Sequence, residues 1–556
     1  MRSVAWQPAL MPRAFELPTV GWIRMSFRFP VRSMMRKTAC LAFASAAVVL
    51  QGCAVLPEEH VPTITSNAIP VSKETELGRL VPDDLDGSGM SAVRPLAFSA
   101  FALDARLALI RHAQRSIDIQ YYLLQDDTTG RVFLREVGDA ARRGVRVRLL
   151  VDDLYTASSD RLLSDLAALP NVQVRLFNPF PAGRFSSVTR WSFALLDFGR
   201  LNHRMHNKLL VVDGAFAVAG GRNIADEYFF RSTSGNFIDF DLLVSGTAVA
   251  DLERLFDVYW NSHRVRALES LEVDPRNLDE RRDDFEGLTA TAANFVPLAE
   301  EERDVLNYAP VSHDIAHPPL KLIRARVRVV ADDPEKVSGR ASDGHDKTTV
   351  TAQVIEAVGR AREEALISSP YFVPGATGLE DLELARARRV AITLITNSMA
   401  ANDEPFVSAA YGRYRKRMLK AGIQIYEISP GVIRRAAKLD EPLGETTGRL
   451  HAKALVIDHQ TTFVGSMNFD FRSSRLNTEL GLFVESPELA SDVVDLVSTL
   501  RSFGTYRMRL SPTDGHVQWI VDTNNGEDVF DSEPEIDGWT KLKLFLFSPF
   551  IDEGLL

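Results

Sequence analysis

Cysteine is almost absent from this chain of 556 residues, which contains only Cys40 and Cys53. Two cysteines cannot build a disulfide framework, and they cannot supply the usual four-ligand cysteine site for a metal ion. The sequence also has no cluster of other side chains with metal-ligand spacing. We therefore predict that the protein holds no metal ion.

An excess of positive charge is missing as well. The chain has 64 Lys and Arg residues against 74 Asp and Glu residues, which gives a formal net charge of −10. Proteins that bind nucleic acid need a broad basic surface to neutralise the phosphates. The charge therefore disfavours nucleic acid as a partner, although a local basic cleft can still bind an anionic lipid headgroup.

The apolar stretch near the N-terminus is too short to cross a bilayer, which needs about 20 residues. This stretch, Thr38 to Leu50, follows the basic segment Met34–Lys37 and precedes Gln51, Gly52 and Cys53. Basic, apolar and small residues in this order are typical of a secretory signal. Residues 1–33 lie upstream of that complete signal and are either a leader or the product of an early assigned start.

One signature, His-x-Lys-x4-Asp, is present twice. The two copies are His206, Lys208 and Asp213, and His451, Lys453 and Asp458. Each copy is followed at the same distance by a Gly-x-x-Asn segment, Gly220–Asn223 and Gly465–Asn468. A single short motif is often fortuitous, but two copies with matched partners inside a wider repeat are not. We interpret both copies as functional.

Strand alternation predicts the geometry of each motif. His206 and Lys208 are two residues apart, so they project to the same face of an extended strand. The apolar run Leu209–Val212 continues as a buried strand, and Asp213 with Gly214 offers a tight turn into a second short strand. Asp213 and Asp458 complete the two motifs, but their place at the turn favours a structural role in anchoring the hairpin.

The repeat extends beyond the motifs and predicts the fold. Asp118–Leu123 corresponds to Ile367–Phe372, and Asn171–Phe177 corresponds to Gly422–Glu427. Each half alternates strands and helices, which predicts a mainly parallel sheet covered on both faces. Two such α/β/α domains, related by pseudo-twofold symmetry, would share one central active-site cleft. The chain is then expected to be a monomer that contains an intramolecular pseudo-dimer.

The predicted boundaries follow from the repeat and from changes in composition. They are a leader (1–33), a signal peptide (34–52), a linker (53–95), a first domain (96–268), an inter-domain connection (269–346), a second domain (347–507) and a C-terminal extension (508–556). The extension contains the apolar run Trp539–Phe550, which is either a membrane-surface anchor or a segment packed on the core.

The paired motifs resemble those of the phospholipase D superfamily. Within it, the surrounding segments are most similar to bacterial cardiolipin synthases of the C type, over roughly residues 96–550. Those segments are Gln120–Asp127, Arg175–Pro179, Gly220–Asp226, Leu394–Asp403 and Asn468–Ser473. The resemblance implies two phospholipase D-type domains and transfer of a phosphatidyl group to phosphatidylglycerol, from phosphatidylglycerol or phosphatidylethanolamine.

The resemblance also implies a double displacement without a metal ion or other cofactor. His206 is expected to attack phosphorus and form a phosphatidyl-histidine, while His451 acts as general acid and then as general base. Lys208 and Lys453 are expected to bind the non-bridging phosphate oxygens. Asn223 and Asn468 would donate further hydrogen bonds to the same oxygens.

A histidine nucleophile needs an acceptor on its far nitrogen to fix the tautomer. Glu479 matches the family's carboxylate for His451, and alignment of the two halves makes Asp239 the equivalent for His206, with Asp241 as the competing choice. Ser466, in the second Gly-x-x-Asn segment, is counted with these supporting residues.

Three other functions remain open at this point. The first is a phospholipase D that transfers the phosphatidyl group to water. The second is a phosphodiesterase acting on nucleic acid, although the small nucleases of the superfamily tend to carry one motif and to dimerise. The third is a non-catalytic lipid-binding lipoprotein, which two complete motifs disfavour.

The segment Leu50–Cys53 resembles the cleavage site of bacterial lipoproteins. This implies cleavage before Cys53 and lipidation of that cysteine. The mature protein is then expected to be membrane-anchored and to face the periplasm. Ala54 lacks the acidic character associated with retention in the inner membrane, so the outer membrane is the expected site.

Overall fold

A computed structural model describes residues 64–85, 87–180, 190, 197–271, 274–299, 301–338, 347–431, 447–523 and 526–536. These residues belong to one compact unit. The predicted signal peptide, Cys53 and the apolar run Trp539–Phe550 lie outside the described ranges, so the lipoprotein and anchor assignments stay predictions. Among the described helices, none is both long enough and apolar enough to cross a bilayer.

The secondary structure alternates helices and strands in both halves. The α-helices are α1 Glu76–Leu80, α2 Ser99–His112, α3 Thr128–Arg142, α4 Asp160–Ala167, α5 Phe198–Leu201, α6 Thr247–Trp260, α7 Leu268–Leu271, α8 Leu278–Thr289, α9 Val311–Ala316, α10 Val350–Arg360, α11 Gly375–Ala387, α12 Pro405–Lys420 and α13 Pro487–Gly504. The strands of the first half are β1 Ser91–Leu96, β2 Ser116–Tyr121, β3 Arg146–Asp152, β4 Val172–Phe177, β5 Lys208–Val212, β6 Phe216–Gly220, β7 Gly235–Ile238, β8 Asp241–Gly246 and β9 Val265–Ala267. The remaining strands are β10 Ile323–Ala331, β11 Glu364–Ser368, β12 Ala391–Asn397, β13 Gln424–Ile428, β14 Thr447–Leu450, β15 Ala454–Ile457, β16 Thr461–Gly465, β17 Leu480–Glu485, β18 Thr505–Leu510, β19 Val517–Thr523 and β20 Gly526–Phe530.

The predicted α/β class is confirmed, and the sheet is mixed. In the first half the strand order is β1-β8-β6-β5-β2-β3-β4-β9. The pairs β2–β3 and β3–β4 are parallel and are linked by helical crossovers, as parallel neighbours require. The other pairs are antiparallel, and among them is the hairpin that the motif itself forms, β5–β6, which inserts beside β2.

The second half repeats this order. Its strands run β10-β17-β16-β15-β11-β12-β13, and β18, β19 and β20 extend the far edge. The halves meet where β1 pairs antiparallel with β10, with Ala92 opposite Arg324, and this pairing joins them into one 18-stranded sheet. An antiparallel pair of equivalent strands is the arrangement that a twofold axis through the join produces.

The buried core has three main parts. One lies between the first half of the sheet and helices such as α2 and α3, and a second occupies the corresponding place in the second half. The third is shared, because Trp260 and Leu242 of the first half belong to the same buried cluster as Leu482 and Leu489 of the second. The halves are therefore fixed to each other by apolar packing as well as by the sheet.

Segments predicted as linker, connection and extension contribute to the fold. In the linker region, the Ser66 amide donates to Asn261 Oδ1 at 3.1 Å, and the Trp260 indole donates to Ser66 Oγ at 3.0 Å. The charge-dense part of the connection forms α8, whose first turn is closed by a capping box between Asn277 and Glu280. The connection also supplies β10, in which exposed arginines alternate with less exposed apolar residues.

Candidate active site

The two motifs meet at one cleft, which confirms the predicted shared site. Lys208 begins β5, and the equivalent Lys453 immediately precedes β15. His206 and His451 both line a cleft of about 540 Å³, together with Asn223 and Asn468. All four side chains are buried or nearly so. The repeat of the sequence is thus converted into a single site with two equivalent sides.

A short parallel pairing between the halves positions His451. Strand β7 pairs with β14 so that Ile238 lies opposite Leu450, and the next residues, Asp239 and His451, are therefore brought side by side. The His451 backbone N–H donates to the Ile238 carbonyl at 2.7 Å. The distance between His451 Nδ1 and Asp239 Oδ2 is 2.6 Å.

A matching contact positions His206. Met205 forms an isolated parallel bridge with Thr478, so His206 and Glu479 follow at the same level. The His206 backbone N–H donates to the Thr478 carbonyl at 2.9 Å. His206 Nδ1 lies 3.0 Å from Glu479 Oε2 and 3.2 Å from Oε1.

The expected assignment of carboxylates to histidines is wrong, although both predicted carboxylates lie at the site. Asp239 contacts His451 rather than His206, and Glu479 contacts His206 rather than His451. The exchange arises because the two short parallel pairings cross between the halves. The competing residue Asp241 accepts from the guanidinium groups of Arg106 at 2.9 Å and Arg222 at 3.1 Å, in a buried cluster behind the site.

The two carboxylates have opposite electrostatic character. Burial raises the pKa of Asp239, but the facing His451 and Lys453 outweigh burial and lower it to about 2. Burial raises the pKa of Glu479 to about 7, although Lys208 and the Ser466 hydroxyl act in the other direction. Ser466 Oγ donates to Glu479 Oε2 and accepts from the Leu480 amide at 3.0 Å. Ser466 therefore supports Glu479 directly.

The pKa values of the two histidines are also lowered to different extents. Burial, Lys208 and Lys453 hold the pKa of His206 well below its usual range. Burial and Lys453 also lower the pKa of His451, but Asp239 opposes them. The Asp239 carboxylate, 2.6 Å from His451 Nδ1, limits this lowering, so the pKa of His451 is lowered less strongly than that of His206.

The motif lysines are held in equivalent ways. Lys208 Nζ donates to the His206 carbonyl at 2.6 Å, and Lys453 Nζ donates to the His451 carbonyl at 2.6 Å. Burial lowers the pKa of Lys453 to about 8 and that of Lys208 well below its usual range. An ammonium group has three N–H donors, so each bond to a carbonyl leaves donors for an anionic ligand.

The two asparagines have unsatisfied polar atoms at the cleft. Asn223 Nδ2 donates to the Tyr228 hydroxyl at 2.8 Å. The Oδ1 atoms of Asn223 and Asn468 are buried and have no hydrogen-bond partner among the described residues. Rotation of either amide by 180° would exchange Oδ1 and Nδ2, because the two orientations have the same shape. Each amide can therefore turn a donor toward a bound phosphoryl group, which would remove the cost of an unpaired buried group.

Asp213 and Asp458 are not at the cleft side of their motifs. Asp213 accepts the backbone N–H groups of Gln114, Arg115 and Ser116 at 2.9, 2.7 and 2.9 Å. Asp458 accepts the equivalent N–H groups of Arg362, Glu363 and Glu364 at 3.0, 2.8 and 3.0 Å. Both carboxylates thus tie the motif hairpin to the start of the neighbouring strand, β2 in the first half and β11 in the second.

We expect replacement of Asp213 by alanine to affect stability rather than chemistry. The buried carboxylate satisfies three backbone donors, so its loss should lower the free energy of unfolding by about 2–4 kcal/mol. Urea unfolding would measure this loss, and kcat of the folded variant should stay within about threefold of wild type, since Asp213 does not line the cleft. A large loss of kcat at unchanged stability would contradict this role.

Several cleft residues were not singled out from the sequence. The Tyr122 ring packs edge-on against His206 with centroids 4.9 Å apart, and Tyr228 packs in the same way against His451 at 5.1 Å. Arg472 reaches across to the first half, where Nη1 donates to Asn202 Oδ1 at 2.7 Å. The signal for Tyr122 and Arg472 was their place in segments that resemble the family. No group of three or more His, Cys, Asp or Glu residues suited to a metal ion is found within the described ranges.

Comparisons with known proteins agree on one family. A family model described as "Cardiolipin synthase, PLD-like domain" matches residues 107–260 and 354–500. Cardiolipin synthase C of Escherichia coli (strain K12) is 35% identical over 84% of this chain and 97% of its own length. Cardiolipin synthase 2 of Staphylococcus epidermidis is 26% identical over 67% of this chain and 61% of its own length.

Among solved structures, the phosphatidylserine synthase of Haemophilus influenzae Rd KW20 shares the fold. Its TM-score is 0.52 at 14% sequence identity, and the match covers 86% of this chain and 98% of that one. At this identity the likeness bears on the fold alone.

Proposed function

Because this chain belongs to the cardiolipin synthase family of phospholipase D-like enzymes, we propose that it transfers a phosphatidyl group to phosphatidylglycerol through a phosphohistidine. Phosphatidylglycerol or phosphatidylethanolamine is the proposed donor. The observation that carries the proposal is the pair of cleft histidines, each held at Nδ1 by a buried carboxylate from the other half of the chain.

In the first step the neutral His206 attacks phosphorus through Nε2 while its Nδ1–H is held by Glu479. The P–N bond forms and the P–O bond to the headgroup alcohol breaks. His451 gives its Nε2 proton to the leaving oxygen. The electrostatics support these roles, because a nucleophile must be neutral and His206 has the more strongly lowered pKa of the two histidines. Asp239, which is ionised and 2.6 Å from His451, stabilises the protonated form.

In the second step the hydroxyl of the acceptor lipid attacks phosphorus. His451, now neutral, accepts the hydroxyl proton, the new P–O bond forms, and the P–N bond to His206 breaks. Lys208, Lys453 and the amides of Asn223 and Asn468 are proposed to bind the non-bridging oxygens, where negative charge increases in both transition states. The two lysines are already held by backbone carbonyls before the substrate arrives, so little reorganisation of their ammonium groups is needed.

Lipid mass spectrometry tests the proposal. Purified enzyme is incubated with phosphatidylglycerol labelled in its terminal glycerol, with and without phosphatidylethanolamine. We expect cardiolipin together with released glycerol, and released ethanolamine where phosphatidylethanolamine is the donor. If phosphatidic acid is the sole lipid product, the enzyme hydrolyses its substrate and does not transfer the phosphatidyl group to a second lipid. The His206→Ala variant, purified in the same way, is the control. If wild-type enzyme forms no more lipid product than this variant, both transfer and hydrolysis are contradicted.

We further propose that a rim of exposed aromatic side chains places the cleft mouth on a lipid surface. Tyr155 and Phe198 line the cleft and are 48% and 54% exposed, and Phe406, 46% exposed, precedes the cleft residue Val407. The two halves thus contribute to one rim. Exposed aromatic rings at the entrance to a site are suited to the boundary between lipid headgroups and acyl chains.

Vesicle co-sedimentation tests this rim. Phe198→Ser and Phe406→Ser should each weaken binding to phosphatidylglycerol vesicles by about tenfold, since each removes about 1–2 kcal/mol of apolar burial. Activity on vesicles should fall more than activity on dispersed short-chain lipid. Leu384 on α11 is 60% exposed and does not line the cleft, so Leu384→Ser is the matched control. Equal losses in all three variants would contradict a role specific to the rim.

A further inference from the structure

A buried ion pair from the predicted connection lies directly behind Glu479. Asp332 follows the last residue of β10, and Lys336 lies one turn later. Both side chains are almost completely buried, and Lys336 Nζ donates to Asp332 Oδ2 at 2.7 Å. Neither residue belongs to either motif or lines the cleft.

Asp332 holds the Glu479 backbone through two hydrogen bonds, one from the Asp332 amide and one to the Asp332 carboxylate. The Asp332 amide donates to the Glu479 carbonyl at 2.9 Å. The Glu479 amide donates to Asp332 Oδ2, also at 2.9 Å. The first of these bonds continues the antiparallel ladder of β10 and β17, in which Ala331 lies opposite Leu480, whereas the second is accepted by the Asp332 side chain. Asp332 Oδ1 accepts the Val350 amide at 2.8 Å, so the carboxylate is fixed to α10 as well.

Lys336 links the same pair to the other catalytic segment of the second half. Its Nζ donates to the Ser473 carbonyl at 2.7 Å. Ser473 Oγ in turn accepts the backbone N–H of Asn468 at 3.1 Å. One buried ammonium group therefore connects the strand that carries Glu479 with the loop that carries Asn468.

We propose that Asp332 and Lys336 are positioning residues, which hold Glu479 where it accepts the Nδ1 hydrogen of His206. The inference rests on the proposed role of His206 as nucleophile. A buried ion pair contributes little net stability compared with apolar residues of similar size. A positioning role therefore accounts better for the pair than a gain in stability. In the first half the equivalent carboxylate residue, Asp239, is held differently, because the Arg222 guanidinium donates to its backbone carbonyl at 2.7 Å.

The pair also acts electrostatically on the His206–Glu479 unit, which titrates as one system. Lys336 lowers the pKa of Glu479, and the Glu479 charge raises the pKa of Asp332. Because repulsion between two carboxylates is mutual, the Asp332 charge in turn disfavours ionisation of Glu479. The charged and titratable groups around Glu479 are His206, Lys208, Lys453, Asp332, Lys336 and Asp470. Replacing the two members of the pair should therefore move the acid limb of the pH–rate profile in opposite directions.

The experiment compares Lys336→Met, Asp332→Asn and the double variant with wild type, using phosphatidylglycerol as the lipid. We expect kcat and the rate of His206 phosphorylation in a rapid quench to fall about 10- to 100-fold in all three, with KM within about threefold. The acid limb should move to higher pH in Lys336→Met and to lower pH in Asp332→Asn. In the double variant, which leaves no unpaired buried charge, it should stay near the wild-type position.

Glu335→Gln is the matched control, because Glu335 lies beside Lys336 but makes an exposed contact with Arg264 at 3.2 Å. It should leave kcat and the profile unchanged. If the pair had only a structural role, the variants would have a lower folded fraction, and the acid limb of the pH–rate profile would not move in opposite directions. Folded variants with the wild-type acid limb and the wild-type rate of His206 phosphorylation would overturn the proposal. If wild-type enzyme forms no phosphohistidine at His206, the proposed function fails instead.

Discussion

His206→Ala and His451→Ala should each reduce turnover by about a thousandfold or more, and turnover of the double variant should be no lower than that of either single variant. In the proposed mechanism the two histidines act on one phosphorus atom, so removal of either stops the same cycle. Both line the same cleft and each is held by a buried carboxylate, which is the geometry that this interdependence requires. Cardiolipin formation measured by lipid mass spectrometry gives the turnover.

His263→Ala is a suitable control, since the His263 side chain is 70% exposed and contacts a surface carboxylate, Glu335, at 3.3 Å. That variant should retain wild-type turnover. Substantial activity in either cleft variant would refute the two-histidine mechanism. Isolation of a phosphorylated peptide that contains His451 and lacks His206 would reverse the proposed roles.

The sequence was sufficient to predict the features that repeat within each half. The two motifs, the alternation of strands and helices and the hairpin after each histidine all depend on short-range patterns. The structural place of Asp213 also follows from such a pattern, because an aspartate at a hairpin turn is well placed to accept nearby backbone N–H groups. These features agree with the structure because local geometry determines them.

Features that depend on contacts between the halves could not be predicted in this way. Asp239 and His451 are 212 positions apart, and His206 and Glu479 are 273 apart. Alignment of the halves identifies equivalent carboxylates, but it cannot tell whether each serves its own half or the other. The stretch 269–346 was predicted as a connection from its composition, which does not reveal that Asp332 and Lys336 form a buried ion pair.

The crossed pairing leads to a second large effect, in which Asp239→Asn and Glu479→Gln should fail at different points. An amide in place of the orienting carboxylate neither fixes the tautomer of the histidine nor stabilises its protonated form. In comparable dyads this replacement lowers kcat by about a thousandfold or more. Both variants should therefore lose turnover on natural phospholipid by about that factor. Their responses to a phosphatidyl ester of p-nitrophenol, measured as the burst of p-nitrophenol in the first turnover, should differ.

In the proposed mechanism Asp239 serves His451 as the acid, so a leaving group that needs no proton should largely restore the burst in Asp239→Asn. Under the same proposal Glu479 serves His206 as the nucleophile, so Glu479→Gln should remain slow with either leaving group. Ser466→Ala, which removes a hydrogen bond to Glu479, should shift the burst in the same direction as Glu479→Gln but by a smaller factor. If each carboxylate served the histidine of its own half, the pattern would be inverted, with Glu479→Gln rescued and Asp239→Asn not. The leaving-group dependence therefore tests the combination of the crossed contacts with the proposed roles of the two histidines.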